Sequence, residues 1–182
     1  MMKIFGNRKQ TKAVEENFGK YMVNKFENSD SNITEREYFY CIIKLAVDVN
    51  LENKKIIESL LQKIIKAADE TNGDVTNLCA DSLVVLYGLP LPDPNVYENI
   101  ESFIIKIGTL KSEIITILGR EIGLYGRFGY EKRYIVTAIG RNLVKDFNII
   151  NSYKTNKIFI HDDVADKMLN LKQLESVEII KG

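Results

Sequence analysis

Residues 119–134, GREIGLYGRFGYEKRY, concentrate the side chains best suited to recognition chemistry. These positions hold three of the chain's six arginines, three tyrosines and four glycines. Arginine offers a rigid planar fork that matches carboxylates and phosphates, and tyrosine adds contact area with a polar tip. The basic character continues downstream. Arg133, Thr137, Arg141 and Lys145 recur every fourth residue, and Ile135, Ile139, Leu143 and Phe147 share that period, offset by two. On a helix this offset is about 200°, which predicts a basic stripe facing outward and an apolar stripe facing inward. Arg120, Arg127, Tyr130, Arg133, Tyr134, Arg141 and Lys145 form the candidate binding surface. Residues 119–145 carry six basic and two acidic side chains, in a chain whose formal net charge is zero. A protein with an acidic surface is the expected partner. Nucleic acid is the alternative, because arginine with aromatic side chains also suits phosphates and stacked bases.

Other chemistry is harder to find. His161 is the only histidine, which excludes a paired-histidine zinc site. Cys41 and Cys79 lie in apolar segments and read as buried thiols of a reducing compartment, neither nucleophiles nor a disulfide. In HDD, residues 161–163, an aspartate is expected to cap a short helix, with His161 on the surface. Gly119, Gly123, Gly126 and Gly129 do not have the spacing of phosphate-cradling loops, and no strand is expected before them. They read as a bend between helices or as points of close helix approach. The acidic residues have ready roles as caps and solvated faces. No catalytic residue, cofactor or metal is therefore expected.

The elements that must position these residues read as helices. Val14, Phe18, Tyr21, Met22 and Phe26 predict a first helix over 11–27. TEREYFYCIIKLAVDVN opens with Thr34 and Glu37 as a capping box and is apolar nearly all round, which predicts a buried central helix. Helices are also expected over 51–70, 75–88, 94–107, 110–122 and from 133 to 147. Asp93 and Pro94 mark one start, and Gly73 suits the left-handed position after another helix. KIFI and VEII, either side of a short helix, predict two strands forming a parallel pair.

The expected fold is mainly α: an irregular bundle or short α-solenoid of six to seven helices, with a small C-terminal β-α-β tail. Residues 1–152 form the helical domain and 153–182 the appendage. Of the 182 residues, 45% are hydrophobic and 27% charged, enough for a core, and no apolar run could span a bilayer. No secretory leader is read at the start, so a cytoplasmic protein is expected. The functional expectation is a non-catalytic binding module, such as an inhibitor, immunity-type or regulatory partner. A nucleic-acid-binding regulator is the alternative, and an enzyme built on distant carboxylates is a third reading.

Overall fold

The segment TEREYFYCIIKL, expected as the central helix, is a strand, β1 (Thr34–Leu45). Tyr38 through Ile43 are buried without interruption, so both faces of the strand are covered. A continuous apolar run suits a strand enclosed on both sides as well as it suits a buried helix, and the aromatic and β-branched residues favour the strand. The structure is a computed structural model. It describes residues 33–79, 81–110, 113–130, 133–153, 157–168, 170–171 and 177–181, but not the side chains of 77–79, 127, 129, 130 and 133–135. The helix expected over 11–27 lies outside the described residues.

The fold is mixed α/β, and the expectation of a mainly α bundle or solenoid is wrong. After β1 come α1 (Lys54–Asp69), β2 (Asp74–Cys79), β3 (Ser82–Tyr87) and α2 (Val96–Ile107), which runs into a 3-10 turn (Gly108–Leu110). Then follow β4 (Ile114–Tyr130), β5 (Arg133–Ile139), α3 (Arg141–Ile150), β6 (Ile158–His161), α4 (Asp162–Ala165) and β7 (Val177–Ile180). Among the described residues the strands form one seven-stranded sheet, in the order β2-β3-β1-β4-β6-β7 with β5 off this path and paired to β4. The long β4 takes β6 in parallel along Thr116–Leu118 and β5 antiparallel along Leu124–Tyr130, while β1 pairs with it antiparallel from Ile114 to Tyr125. β6 and β7 pair in parallel.

Alternation along β1 divides the core. Phe39, Cys41, Ile43 and Leu45 face α1 and α2, where Leu60, Ile64, Ile100, Phe103 and Ile104 complete the larger layer. Tyr38, Tyr40 and Ile42 face the other way, toward α3. The expected helices over 51–70 and 94–107 are α1 and α2. In α2 every apolar residue at helical spacing, Val96, Ile100, Phe103, Ile104 and Ile107, is buried. Asp93 sits ahead of α2 and accepts from Asn95 N and Asn99 Nδ2. The left-handed residue after α1 is Asn72 (φ 57°), not Gly73. Gly73 instead lies flat against Val85 and Tyr87, where a Cβ would come within 2.6 Å of Val85 Cγ1. The expected helix over 75–88 is the β2–β3 hairpin, and that over 110–122 lies mostly within β4. No helix among the described residues is long and apolar enough to cross a membrane.

Candidate functional site

Asp48 follows the end of β1 and Asp81 precedes the start of β3, both at the same end of the sheet. Antiparallel pairing sets Lys44 opposite Ser82, and Leu45 N donates to the carbonyl of Asp81 at 2.9 Å. This bond holds the β2–β3 turn against the last residue of β1. Asp81 accepts at Oδ1 from Ser82 Oγ at 2.9 Å, and Lys44 Nζ stands 4.0 Å from its Oδ2. Asp48 lies three residues past β1, in a loop that bonds to itself. The Asp48 carbonyl accepts from Asn53 Nδ2, and Asn53 N donates to Asn50 Oδ1, each at 3.0 Å. The loop thus leaves Asp48 exposed to solvent.

The same loop delivers the chain to the start of α1. No side chain caps that start, and its first turn contains no acidic residue. Lys54 and Lys55 stand there instead. A helix N-terminus carries about half a positive charge, so this one lacks its usual acidic complement and favours an anion. The Asp48 loop therefore leads directly into an amide array that favours an anion.

Among the described residues no group of three or more His, Cys, Asp or Glu is placed to hold a metal. A magnesium-type ion needs fewer ligands, and Asp48 and Asp81 offer carboxylates at this end of the sheet. Such ions are held by one or two carboxylates together with substrate phosphates and water, not by a full protein cage.

A second polar cluster lies under α3. Tyr40 donates its hydroxyl to Asp146 Oδ2 at 2.7 Å, and His161 Nε2 lies 2.6 Å from the same oxygen. The Asp146 side chain is 1% exposed and that of His161 13%, so His161 is not the surface residue expected. Its hydrogen bond to Asp146 raises the imidazole above its usual range, against the opposing effect of burial. Burial, and then the bond to Asp146, pushes the Tyr40 phenol up. The cluster borders a cleft of about 300 Å³, also lined by Arg120, Asn142, Lys145 and Asp163. Burial likewise pushes up the fully buried Cys41 thiol, leaving it unreactive.

The glycines of the 119–134 segment lie on β4 and do not bend a helix, and Gly119 and Gly123 serve this face. A Cβ on Gly119 would collide with the Tyr40 ring, and one on Gly123 would come within 2.5 Å of Ile139 O. One on Gly140 would strike Glu121 and the Tyr38 hydroxyl. Glu121 reaches from β4 to accept from Asn142 N and Leu143 N, so a strand residue caps α3.

The candidate binding residues do not form the stripe expected of them. Arg127 and Tyr130 lie on β4, and Arg133 and Tyr134 on β5, where Tyr130 pairs with Arg133. Arg141 and Lys145 are exposed on α3, beyond Gly140. A four-residue spacing has no single face across a strand and then a helix, so the basic and apolar stripes do not exist as drawn. Arg120 is half-buried and pairs with Glu37 at 3.1 Å and Asp163 at 3.5 Å. Of the seven residues, Arg120 and Lys145 line the cleft.

Sequence reasoning missed Asp48 and Asp81. Each follows an apolar run, KLAV or NLCA, but that signal has meaning only once the runs are known to be strands.

No known family profile matches this chain, and no curated protein matches it. Solved structures do. The guanylyl cyclase Cya2 is 15% identical, with a TM-score of 0.58 over 73% of this chain and 78% of its own. The adenylyl cyclase CyaB from P. aeruginosa is 14% identical, with a TM-score of 0.60 over 74% and 81%. The catalytic core of a rhodopsin-guanylyl cyclase with converted specificity, in complex with ATPαS, is 13% identical, with a TM-score of 0.61 over 80% and 88%. The chain has the fold of these cyclase domains. This overturns the expectation of a non-catalytic module of the inhibitor or immunity type, or of a nucleic-acid regulator. That expectation rested on size, an apparent lack of catalytic groups and a basic stripe read as helical, whereas the scaffold is a sheet shared with these cyclase domains.

Proposed function

We propose that this chain is a nucleotide-cyclase-type catalytic domain, converting a purine nucleoside triphosphate to a cyclic nucleotide and pyrophosphate. The observation that carries this reading is the likeness of the sheet to those cyclase domains, with Asp48, Asp81 and the uncapped start of α1 at the end where β1 finishes and β3 begins. Asp48 and Asp81 would hold a magnesium or manganese ion. When bound, that ion supplies neutralisation of phosphate charge and polarisation of a phosphoryl oxygen. The chain's own groups do the rest. Ser82 orients the Asp81 carboxylate, and the Leu45–Asp81 backbone bond fixes the turn that carries it. The amides at the start of α1 offer donors to phosphate oxygens, with the local dipole favouring negative charge. Nucleoside triphosphates are cytoplasmic metabolites, so a cytoplasmic protein fits this reading, as does the buried, unreactive thiol of Cys41.

The test is direct. The full chain is incubated with ATP or GTP and Mn²⁺, cyclic nucleotide is measured, and Mn²⁺ binding is followed separately by calorimetry. The expected result is cyclic product and a Mn²⁺ site, both lost in Asp81→Asn while the unfolding midpoint holds. Absence of both product and a Mn²⁺ site in the parent chain overturns the reading.

A further inference from the structure

We infer that Lys44 is a phosphate-binding residue beside the Asp81 carboxylate, held in position by Asn151; this rests on the nucleotide reading above. Lys44 is the penultimate residue of β1, and its side chain is only 21% exposed. Alternation puts it on the face that Tyr40 and Ile42 share, toward α3. There its ammonium donates to Asn151 Oδ1 at 2.7 Å. Asn151 is the residue that closes α3, and its own amide nitrogen donates to Phe147 O at 3.3 Å, which turns Oδ1 toward the lysine.

The distances indicate what Lys44 is for. Its separation from Asp81 Oδ2 is 4.0 Å, too long for a hydrogen bond, whereas the bond to Asn151 is short. Asp81 Oδ1, for its part, is already bonded to Ser82. The lysine is therefore anchored by a neutral amide beside the carboxylate, not consumed in a tight ion pair with it. An ammonium has three donors, and the Asn151 bond uses one. Fixing a lysine this way costs side-chain conformational entropy, which a solvated lysine would keep. A ligand carrying a divalent cation and a chain of phosphates suits both halves of the arrangement: its metal meets the carboxylates and a phosphate oxygen meets Lys44. The shared chemistry is the polyphosphate, whatever base is attached.

The experiment uses the full chain, Mn²⁺ and inorganic triphosphate, with binding measured by calorimetry. Lys44→Met is expected to weaken triphosphate binding in the presence of Mn²⁺ by about tenfold or more, the usual worth of a charge-assisted hydrogen bond. Mn²⁺ alone should bind Lys44→Met as well as the parent or better, because a nearby positive charge has gone. Lys44→Arg should restore most of the triphosphate affinity, and Asn151→Ala should give a smaller loss than Lys44→Met. If the parent binds both probes and Lys44→Met binds triphosphate equally well, the inference fails and the nucleotide reading stands. If Lys44→Met loses Mn²⁺ together with triphosphate, Lys44 serves the carboxylates' geometry and the inference also fails. A parent that binds neither probe removes the nucleotide reading itself, and this inference with it.

Discussion

Tyr40 reaches Asp146 across the bare backbone of Gly119. The tyrosine and the glycine are paired across β1 and β4, and the phenol ring occupies the space where a side chain at 119 would stand.

Gly119→Ala should therefore cost stability. The added methyl collides with the hydroxyl and ring carbons of a tyrosine that is fully buried and cannot swing away. Overpacking of this kind costs about 1–3 kcal/mol. Gly108→Ala is the control: its φ is −56°, and a Cβ there meets nothing within 4 Å. That change should be neutral or stabilising by up to about 1 kcal/mol. Urea denaturation of the two variants checks the contrast, and equal midpoints would refute it.

His161 should make stability depend on pH in one direction. Its folded value is raised by Asp146, so the protonated imidazole is favoured in the native state. The stabilisation is fully present below the unfolded value near 6.5, and is lost as pH rises through the higher folded value. As the chain's only histidine, it gives a single imidazole NMR titration, expected to lie above the ordinary midpoint. In Asp146→Asn that midpoint should fall. The gap in stability between the parent and His161→Gln should narrow as the solution becomes alkaline.

Glu121→Ala should loosen the start of α3. The carboxylate accepts from two backbone amides at the start of the helix, that of Leu143 in a buried place. Loss of a helix cap costs about 0.5–2 kcal/mol. Glu121→Gln keeps an acceptor but not the charge, so it should lose less. Hydrogen exchange at the Asn142 and Leu143 amides would locate the effect, which should fade toward the end of the helix.

Ile42→Ala and Ile43→Ala should both be severe, although these neighbours belong to different layers. Both side chains are fully buried, Ile43 against α1 and α2 and Ile42 on the α3 face. Truncation of such residues costs about 2–5 kcal/mol. Denaturant midpoints measure it. A mild effect at Ile42 alone would mean that the α3 layer relaxes around the lost volume.

The spacing of apolar residues explains why α1 and α2 were legible and the sheet was not. In β4, Ile114, Leu118 and Ile122 are four apart, which satisfies a helical row and also a strand face of period two. Only intervening residues separate the two cases, and there Ile115 and Ile117 are as buried as their neighbours. α1 resolves the ambiguity with a run of charged residues opposite its buried face, which a strand enclosed on both sides never shows. The candidate site was hidden for the same reason. Asp48 and Asp81 are far apart in sequence and reach the same end of the sheet only through antiparallel pairing of β1 with β3. The arginines stood out by composition, a property that carries no information about register.

The long β4 sets the order of events during synthesis. Its partners in β1 lie roughly 70–90 residues upstream, from Leu45 with Ile114 to Thr34 with Tyr125. Until β4 leaves the ribosome, β1 can pair only with β3, and its other edge stays open along a run that is apolar on both sides. Open edges of this kind recruit other chains, and pairings so distant in sequence form slowly. The interval between translation of β3 and completion of β4 is therefore when the nascent chain is most open to mispairing.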